Sequence, residues 1–286
     1  MWKSTFAALI VLFAAGCAKA QPPIWVVRDQ DSEMVLFGSV HVLPKGLDWT
    51  PPALDRALSA ADDLWFELSI DAASESRVAA LAMDRGVLPA DMTLSGLLSR
   101  DGAARLQRVA VQYGLTPDSL ERLEPWLAEV ALAGAAFRKA NADASSGVEK
   151  SLSAAAPAKT ARRAFETPEE QIALFDDGPM SEQVASLEST LRDMEDNPGQ
   201  YEELVADWMA GDLGALEREA LDPIRDASPG LYRRLVTERN ARWTTVLDKR
   251  LAGSGKTVVV VGVGHLIGAD GVPARLRALG YSVEGP

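Results

Sequence analysis

The chain has 286 residues, 47% of them apolar, with 29 Lys and Arg against 41 Asp and Glu for a net charge of −12. That acidic balance argues against nucleic acid or an anionic membrane surface as a partner, and the acids spread along helical segments read as solvated faces. Cys17 is the only cysteine, which excludes a disulfide, a thiolate ligand and a cysteine nucleophile from the folded domain that follows it.

In chain order, the first element is a targeting segment. Met1-Trp2-Lys3 is a short basic start, Phe6 to Ala15 an apolar run of ten, and Ala18-Lys19-Ala20 an A-x-A cleavage signal. Ten apolar residues are too few for a permanent membrane-spanning helix. Ala14-Ala15-Gly16-Cys17 offers a second cut of the bacterial lipobox kind, with Cys17 becoming an acylated first residue and a lipid anchor, although Ala14 stands where leucine is usual. Either cut, removing residues 1–20 or 1–16, implies export to the periplasm and leaves 21–286 as a single domain. The cut after Ala20 removes Lys3 and Lys19 and leaves 27 bases facing 41 acids, a mature charge of −14.

Ile24 to Arg28 and Met34 to Val40 are β-formers joined by the polar turn Asp29-Gln30-Asp31-Ser32, which predicts a hairpin. A helix starts near Thr50-Pro51-Pro52, and Asp63 to Ile70 is a third strand. From Ala72 to about Ala156 apolar residues recur at helical spacing, as in Leu127, Val130, Ala131, Gly134 and Phe137. Arg162 to Glu166 reads as a short fourth strand before a helix opening at Thr167-Pro168-Glu169-Glu170. Pro229 to Leu251 reads as a long helix, Thr257 to Val261 as a fifth strand and Tyr281 to Glu284 as a last edge strand. The class expected is α/β, a mixed central sheet with flanking helices and a large helical insertion at about 72–156.

The chain has two histidines, and both close the same pattern. Gly38-Ser39-Val40-His41 follows one strand and Gly262-Val263-Gly264-His265 follows another. A buried strand, a glycine turn and an imidazole is how an α/β sheet presents a reactive group at its carboxyl edge, so the two ends of the chain are expected to meet at one site. Glu67 lies in the apolar strand Leu64-Trp65-Phe66-Glu67-Leu68, where a carboxylate is costly without a partner. It reads as a metal ligand or general base beside His41, against the alternative of a solvent-facing strand residue. If it has no structural partner, Glu67→Gln should leave the fold intact or slightly more stable.

Arg239 and Trp243, four apart in Glu238-Arg239-Asn240-Ala241-Arg242-Trp243, share a helix face. Arg239 offers a fixed charge for an anionic transition state or a carboxylate substrate, with an ordinary surface arginine as the alternative. Glu166 ends a strand and Thr167 can cap the next helix. Gly147-Val148-Glu149 places another acid at a helix start, where capping is the simplest explanation.

These blocks resemble the TraB/PrgY/GumN family, which shares its pattern with the Tiki ectodomain proteases. The resemblance rests on Val35-Leu36-Phe37-Gly38-Ser39-Val40-His41-Val42-Leu43-Pro44, Trp65-Phe66-Glu67-Leu68, Phe165 to Gln171, Glu238 to Trp243, and Val261 to Leu266 followed by Gly268-Ala269-Asp270-Gly271. It covers nearly the whole mature chain. It implies a fold like that of the erythromycin esterases and the haem-binding ChaN proteins, and a site built from His41, His265 and Glu67. The Tiki branch implies a metal-dependent peptidase in which these three hold a divalent ion, manganese or cobalt before zinc. Arg239 and Asn240 would then steady the developing oxyanion.

Two other readings stand beside this one. In a metal-free hydrolase one histidine acts as base on water and Glu67 orients it. In a non-enzymatic periplasmic binder the two histidines hold a metal or a haem-like ligand. The substrate is a peptide or small molecule that the sequence does not specify. H-E-x-x-H is absent, and the Gly262-Val263-Gly264 turn has Ile267 where a dinucleotide site has its third glycine, with too little chain after it for a βαβ unit.

Overall fold

The computed structural model describes residues 21–286. The expected targeting segment, Cys17 included, lies outside the described residues. Eight strands form: β1 Ile24–Arg28, β2 Ser32–Ser39, β3 Leu43–Pro44, β4 Asp63–Leu68, β5 Ala142–Asp143, β6 Ala161–Glu166, β7 Gly255–Gly262 and β8 Ser282–Glu284. Six of them make one mixed sheet in the order β6-β4-β7-β2-β1-β8, while β3 and β5 pair separately as a two-stranded ribbon.

β1 and β2 form the expected hairpin, with Val26 opposite Val35. β2, β7, β4 and β6 are all parallel, and β8 closes the far edge against β1. The parallel centre explains the valine run in β7. Covered on both faces, Val258 to Val261 are each 0–1% exposed, the continuous apolar pattern that a doubly covered parallel strand requires. Under the hairpin Phe37, Trp49 and Trp208 pack ring on ring at 5.7 to 6.2 Å. Trp208 Nε1 donates to the Gly38 carbonyl at 2.8 Å, so this apolar cluster also holds the turn that leads to His41.

The stretch after residue 72 is helical as its periodicity predicts, beginning with Ala72–Arg85, whose Asp71 cap accepts from the Ser74 amide. Its core is separate from the sheet's and is completed by a later element. Leu106, Val109 and Leu132 pack with Leu187, Leu191 and Met194 of the helix Met180–Asp196. Pro229 to Leu251 is not one regular helix, because Arg233–Glu238 is a π-helical turn between Pro229–Tyr232 and Arg239–Leu251. Sequence periodicity at 3.6 residues does not foresee such a widened turn, which adds one residue to the register and here comes directly before Arg239. Among the described residues no helix is long and apolar enough to cross a membrane.

Candidate functional site

Four parallel strands end on one edge, and their register sets the site. Ser39 of β2 lies opposite Gly262 of β7, Phe66 of β4 opposite Val260, and Leu68 opposite Glu166 of β6. His41 and His265 follow β2 and β7, while Glu67 and Glu166 sit at the ends of β4 and β6. Arg239 and Asn240 open the helix Arg239–Leu251 that packs on this edge. The five residues expected at the site, His41, Glu67, His265, Arg239 and Asn240, meet here, and Glu166 joins them.

Arg239 is the centre of the cluster and is only 5% exposed. Its Nε donates to Glu166 Oε1 at 2.7 Å, and Nη2 donates to Glu166 Oε2 at 2.8 Å and to Glu67 Oε2 at 2.6 Å. Its Nη1 donates to His265 Nε2 at 2.9 Å and to the Leu235 carbonyl at 3.2 Å. A guanidinium has five N–H donors, and all five are used. Trp243 lies under the guanidinium at 4.6 Å and against the His265 ring at 4.5 Å. The surface-arginine alternative does not hold, and neither does the oxyanion role. Arg239 has no N–H left to give.

Asn240 is used up in the same way. Its Nδ2 donates to the carbonyls of His265 at 3.2 Å and Asp270 at 2.9 Å. Those two acceptors fix the amide so that Oδ1 faces His265 Nδ1, 2.7 Å away. Nδ1 must therefore carry the proton, which leaves Nε2 as the lone pair that accepts from Arg239. Burial, helped by the charge of Arg239 and opposed by Glu67, pushes the His265 pKa down to about 3. This histidine is a neutral, buried structural acceptor.

His41 is its opposite. Its Nδ1 pairs with Glu149 Oε1 at 2.7 Å, and the same oxygen accepts from Ser39 Oγ. The Glu149 carboxylate pushes His41 up to about 9, against the burial of the ring between the cleft walls. The side chain keeps 61% of its surface open to water, so the cleft is wet and screening tempers that pull. Glu149 is 8% exposed; burial raises its own pKa, but His41 and Ser39 outweigh it and leave the carboxyl below its usual value.

Glu67 bridges the two histidines. Burial works to raise its pKa, but the Arg239 guanidinium and the Gly262 amide, which donates to Oε1 at 2.7 Å, hold it far below the carboxylate range. Its Oε1 also lies 3.8 Å from His265 Nε2 and borders open space over Gly262. A methyl group on Gly262 would sit 3.3 Å from Glu67 Oε1 and 3.4 Å from His41 Nε2. The glycine is needed for that room, because any side chain would fill the gap between the His41 ring and the Glu67 carboxylate. Above the gap is a cleft of about 390 Å³ whose walls include Leu174, Phe175, Leu221, Ile224 and Leu235.

The expected metal set does not fit this arrangement. His265 has its Nδ1 proton on Asn240 and its Nε2 lone pair on Arg239, so neither ring nitrogen is free, and a divalent ion at Nε2 would meet the guanidinium 2.9 Å away. Among the described residues no group of three His, Cys, Asp or Glu is arranged to hold a metal ion. His41 Nε2 and Glu67 Oε1 are the polar atoms nearest the gap.

Two residues read mainly as capping candidates are parts of the site. Glu149 is not the N-cap of its helix Val148–Ala155, a place held by Gly147, and beside its own amide its carboxylate bonds His41. Gly147 was the available signal: a Cβ there would come within 2.0 Å of the His41 carbonyl, so the glycine lets the helix dock on the His41 turn. Beside Glu166, capping is done by Thr167 and Glu170 in a reciprocal box, which leaves Glu166 free for Arg239.

Residues 23–285 match the model of the TraB/PrgY/gumN family. The chain is similar to an uncharacterized protein of Treponema pallidum, 27% identical over 264 residues that cover 87% of this chain and 78% of the relative. It is also similar to the uncharacterized protein YbaP of Escherichia coli, 25% identical over 257 residues covering 90% and 92%. No solved structure matches, so the erythromycin-esterase and ChaN likeness remains an implication of the sequence resemblance.

Proposed function

We propose that this chain, which belongs to the TraB/PrgY/gumN family, is an exported hydrolase of esters, lactones or amides that uses His41 as its acid–base group. The observation that carries the reading is the gap over Gly262, faced by His41 Nε2 on one side and Glu67 Oε1 on the other. A water in that gap donates one hydrogen to His41 Nε2 and the other to Glu67 Oε1, leaving a lone pair for a carbonyl carbon in the cleft. His41 takes the proton as the water oxygen bonds to the carbonyl carbon, and returns it to the leaving oxygen or nitrogen as the intermediate collapses.

Glu149 holds the ring through Nδ1 in the orientation that aims Nε2 at the gap, as a carboxylate does in the serine-hydrolase triad. Arg239 and His265 act as positioning residues. Arg239 fixes Glu67 and neutralises part of its charge, and His265, itself neutral, holds Arg239 in place, neither touching the reacting atoms. Because Glu149 keeps His41 protonated at neutral pH, the base form and the rate grow as pH rises toward about 9.

The metal-dependent peptidase reading, motivated by the Tiki resemblance, requires Arg239 to leave His265 Nε2. One experiment separates the readings. Tag-free protein is analysed for bound metal, dialysed against chelator, and assayed on ester, lactone and peptide panels beside His41→Asn. Hydrolysis that survives metal removal and falls at least 10²-fold in His41→Asn supports the proposal. Hydrolysis restored only by manganese or cobalt overturns it in favour of the metallopeptidase, and bound metal without turnover on any panel favours a binding protein.

A further inference from the structure

Three walls of the cleft over His41, namely Phe175, Ile224 and Leu235, also line a second cavity of about 180 Å³. This cavity draws Trp126 and Ala133 from the helix Pro125–Lys139, Gln183 and Ser186 from Met180–Asp196, and Leu231. Its polar side chains other than the Trp126 indole, whose Nε1–H has no partner among the described residues, are already engaged. Arg234 pairs with Glu182 at 3.0 Å, Gln183 Nε2 donates to the Gly178 carbonyl at 3.3 Å, and Glu129 accepts from Ser186 at 3.0 Å and Thr190 at 2.6 Å. Glu129 has no cation beside it among the described residues, and burial pushes its carboxyl up toward the neutral form. The charged pair Arg234–Glu182 is thus already satisfied internally, and apart from the Trp126 N–H what remains of the lining is apolar. An apolar cavity of about 150 Å³ accepts benzene, so this one has room for a phenyl ring or a short alkyl chain.

We propose that this cavity is the acyl subsite of the enzyme: it receives an uncharged apolar acyl group of about benzoyl or hexanoyl size while the scissile carbonyl lies over His41. The surroundings of that carbonyl support an uncharged acyl group. Glu67 and Glu166 both pair with Arg239, whose donors are all taken, and Glu149 pairs with His41, so each cation at the floor already has a carboxylate partner and none is left over for a substrate carboxylate. The inference rests on the hydrolase reading and narrows its substrates to esters and amides of small hydrophobic acids.

The test is a series of 4-nitrophenyl esters from acetyl to dodecanoyl, with Ala133→Leu to fill the cavity and Leu231→Ala to enlarge it. Neither residue belongs to the His41 machinery. In the wild type kcat/KM should rise roughly fourfold per methylene up to about hexanoyl and fall beyond it. Ala133→Leu should lower the hexanoyl-to-acetyl ratio at least about tenfold with acetyl turnover unchanged, and Leu231→Ala should move the optimum to longer chains. Hexanamide binding, measured calorimetrically on the same three proteins, provides a readout without turnover. Ester hydrolysis with a flat chain-length profile, unmoved by either variant, overturns the subsite and leaves the hydrolase reading standing. Hexanamide binding that Ala133→Leu abolishes, in a protein that hydrolyses no ester or amide, keeps the apolar site and overturns the hydrolase. Absence of both overturns both.

Discussion

Arg239 Nη1 donates to His265 Nε2 across 2.9 Å, and this contact separates the two histidines in role. Both close a G-x-x-H turn at the end of a buried parallel strand, and the turns are neighbours in the sheet. One ring is then locked between Asn240 and Arg239 as a neutral acceptor. The other, backed by Glu149, keeps its outer nitrogen on the cleft. Symmetry of motif does not carry over to symmetry of chemistry.

Nuclear magnetic resonance reads this asymmetry directly, because there are only two imidazoles to assign. His41 should titrate above the ordinary histidine value, toward about 9, and His265 should stay neutral across the whole range above about 3 with its proton on Nδ1. Two histidines titrating together near pH 6.5 would contradict the arrangement.

Stability should depend on pH through the His41–Glu149 pair. The folded pKa of His41 lies above its unfolded value of 6.5, so its contribution is complete below pH 6.5 and is lost as pH rises through about 9. Glu149 is depressed in the fold, so its contribution is present above its unfolded pKa and is lost as pH falls through the folded one. Glu149→Gln should flatten the alkaline part of a plot of urea midpoint against pH and return His41 toward 6.5. An unchanged alkaline slope would mean that the pair does not form in solution.

Gly262→Ala should fold and fail to turn over. The added methyl sits 3.3 to 3.4 Å from Glu67 Oε1 and His41 Nε2, a tight contact that small side-chain shifts can absorb. It does, however, occupy the place proposed for the attacking water. Loss of kcat on the order of 10²-fold is expected, with a melting temperature within a few degrees of the wild type. Wild-type kcat in the variant would remove the gap from the mechanism.

Glu67→Gln should destabilise the protein, contrary to what the strand alone suggests. The isolated sequence offers no partner for this carboxylate, whereas the fold gives it Arg239 at 2.6 Å and the Gly262 amide at 2.7 Å. Neutralising one member of a buried pair leaves the other uncompensated, at a cost of about 3 kcal/mol, here moderated by the bidentate Glu166. Because Glu67 is depressed in the fold, its contribution is present above the unfolded carboxylate pKa and is lost as pH falls. Chemical denaturation at pH 7 should show a lower midpoint in the variant, and the gap should narrow in acid. A variant as stable as the wild type would mean that Glu67 is not a structural partner of Arg239.

Much of the frame was legible in the chain because it is local. Alternation and turn residues mark the hairpin, a continuous valine run marks a strand covered on both faces, and a glycine followed by a histidine after each strand marks the carboxyl edge. Glu67 announced itself as a charge inside an apolar strand. The two-residue strands β3 and β5 and the π turn before Arg239 carry no such period and went unseen. The partners of each side chain also went unseen. Glu149 is 108 residues from His41, and Glu166 is 73 from Arg239. Hydrogen-bond donors are finite and proton affinity depends on neighbours within a few ångströms. The sequence by itself therefore determined which groups reach the edge, and only the tertiary structure decided that Arg239 has none of its five donors left, that His265 is neutral and that His41 alone keeps a nitrogen for chemistry.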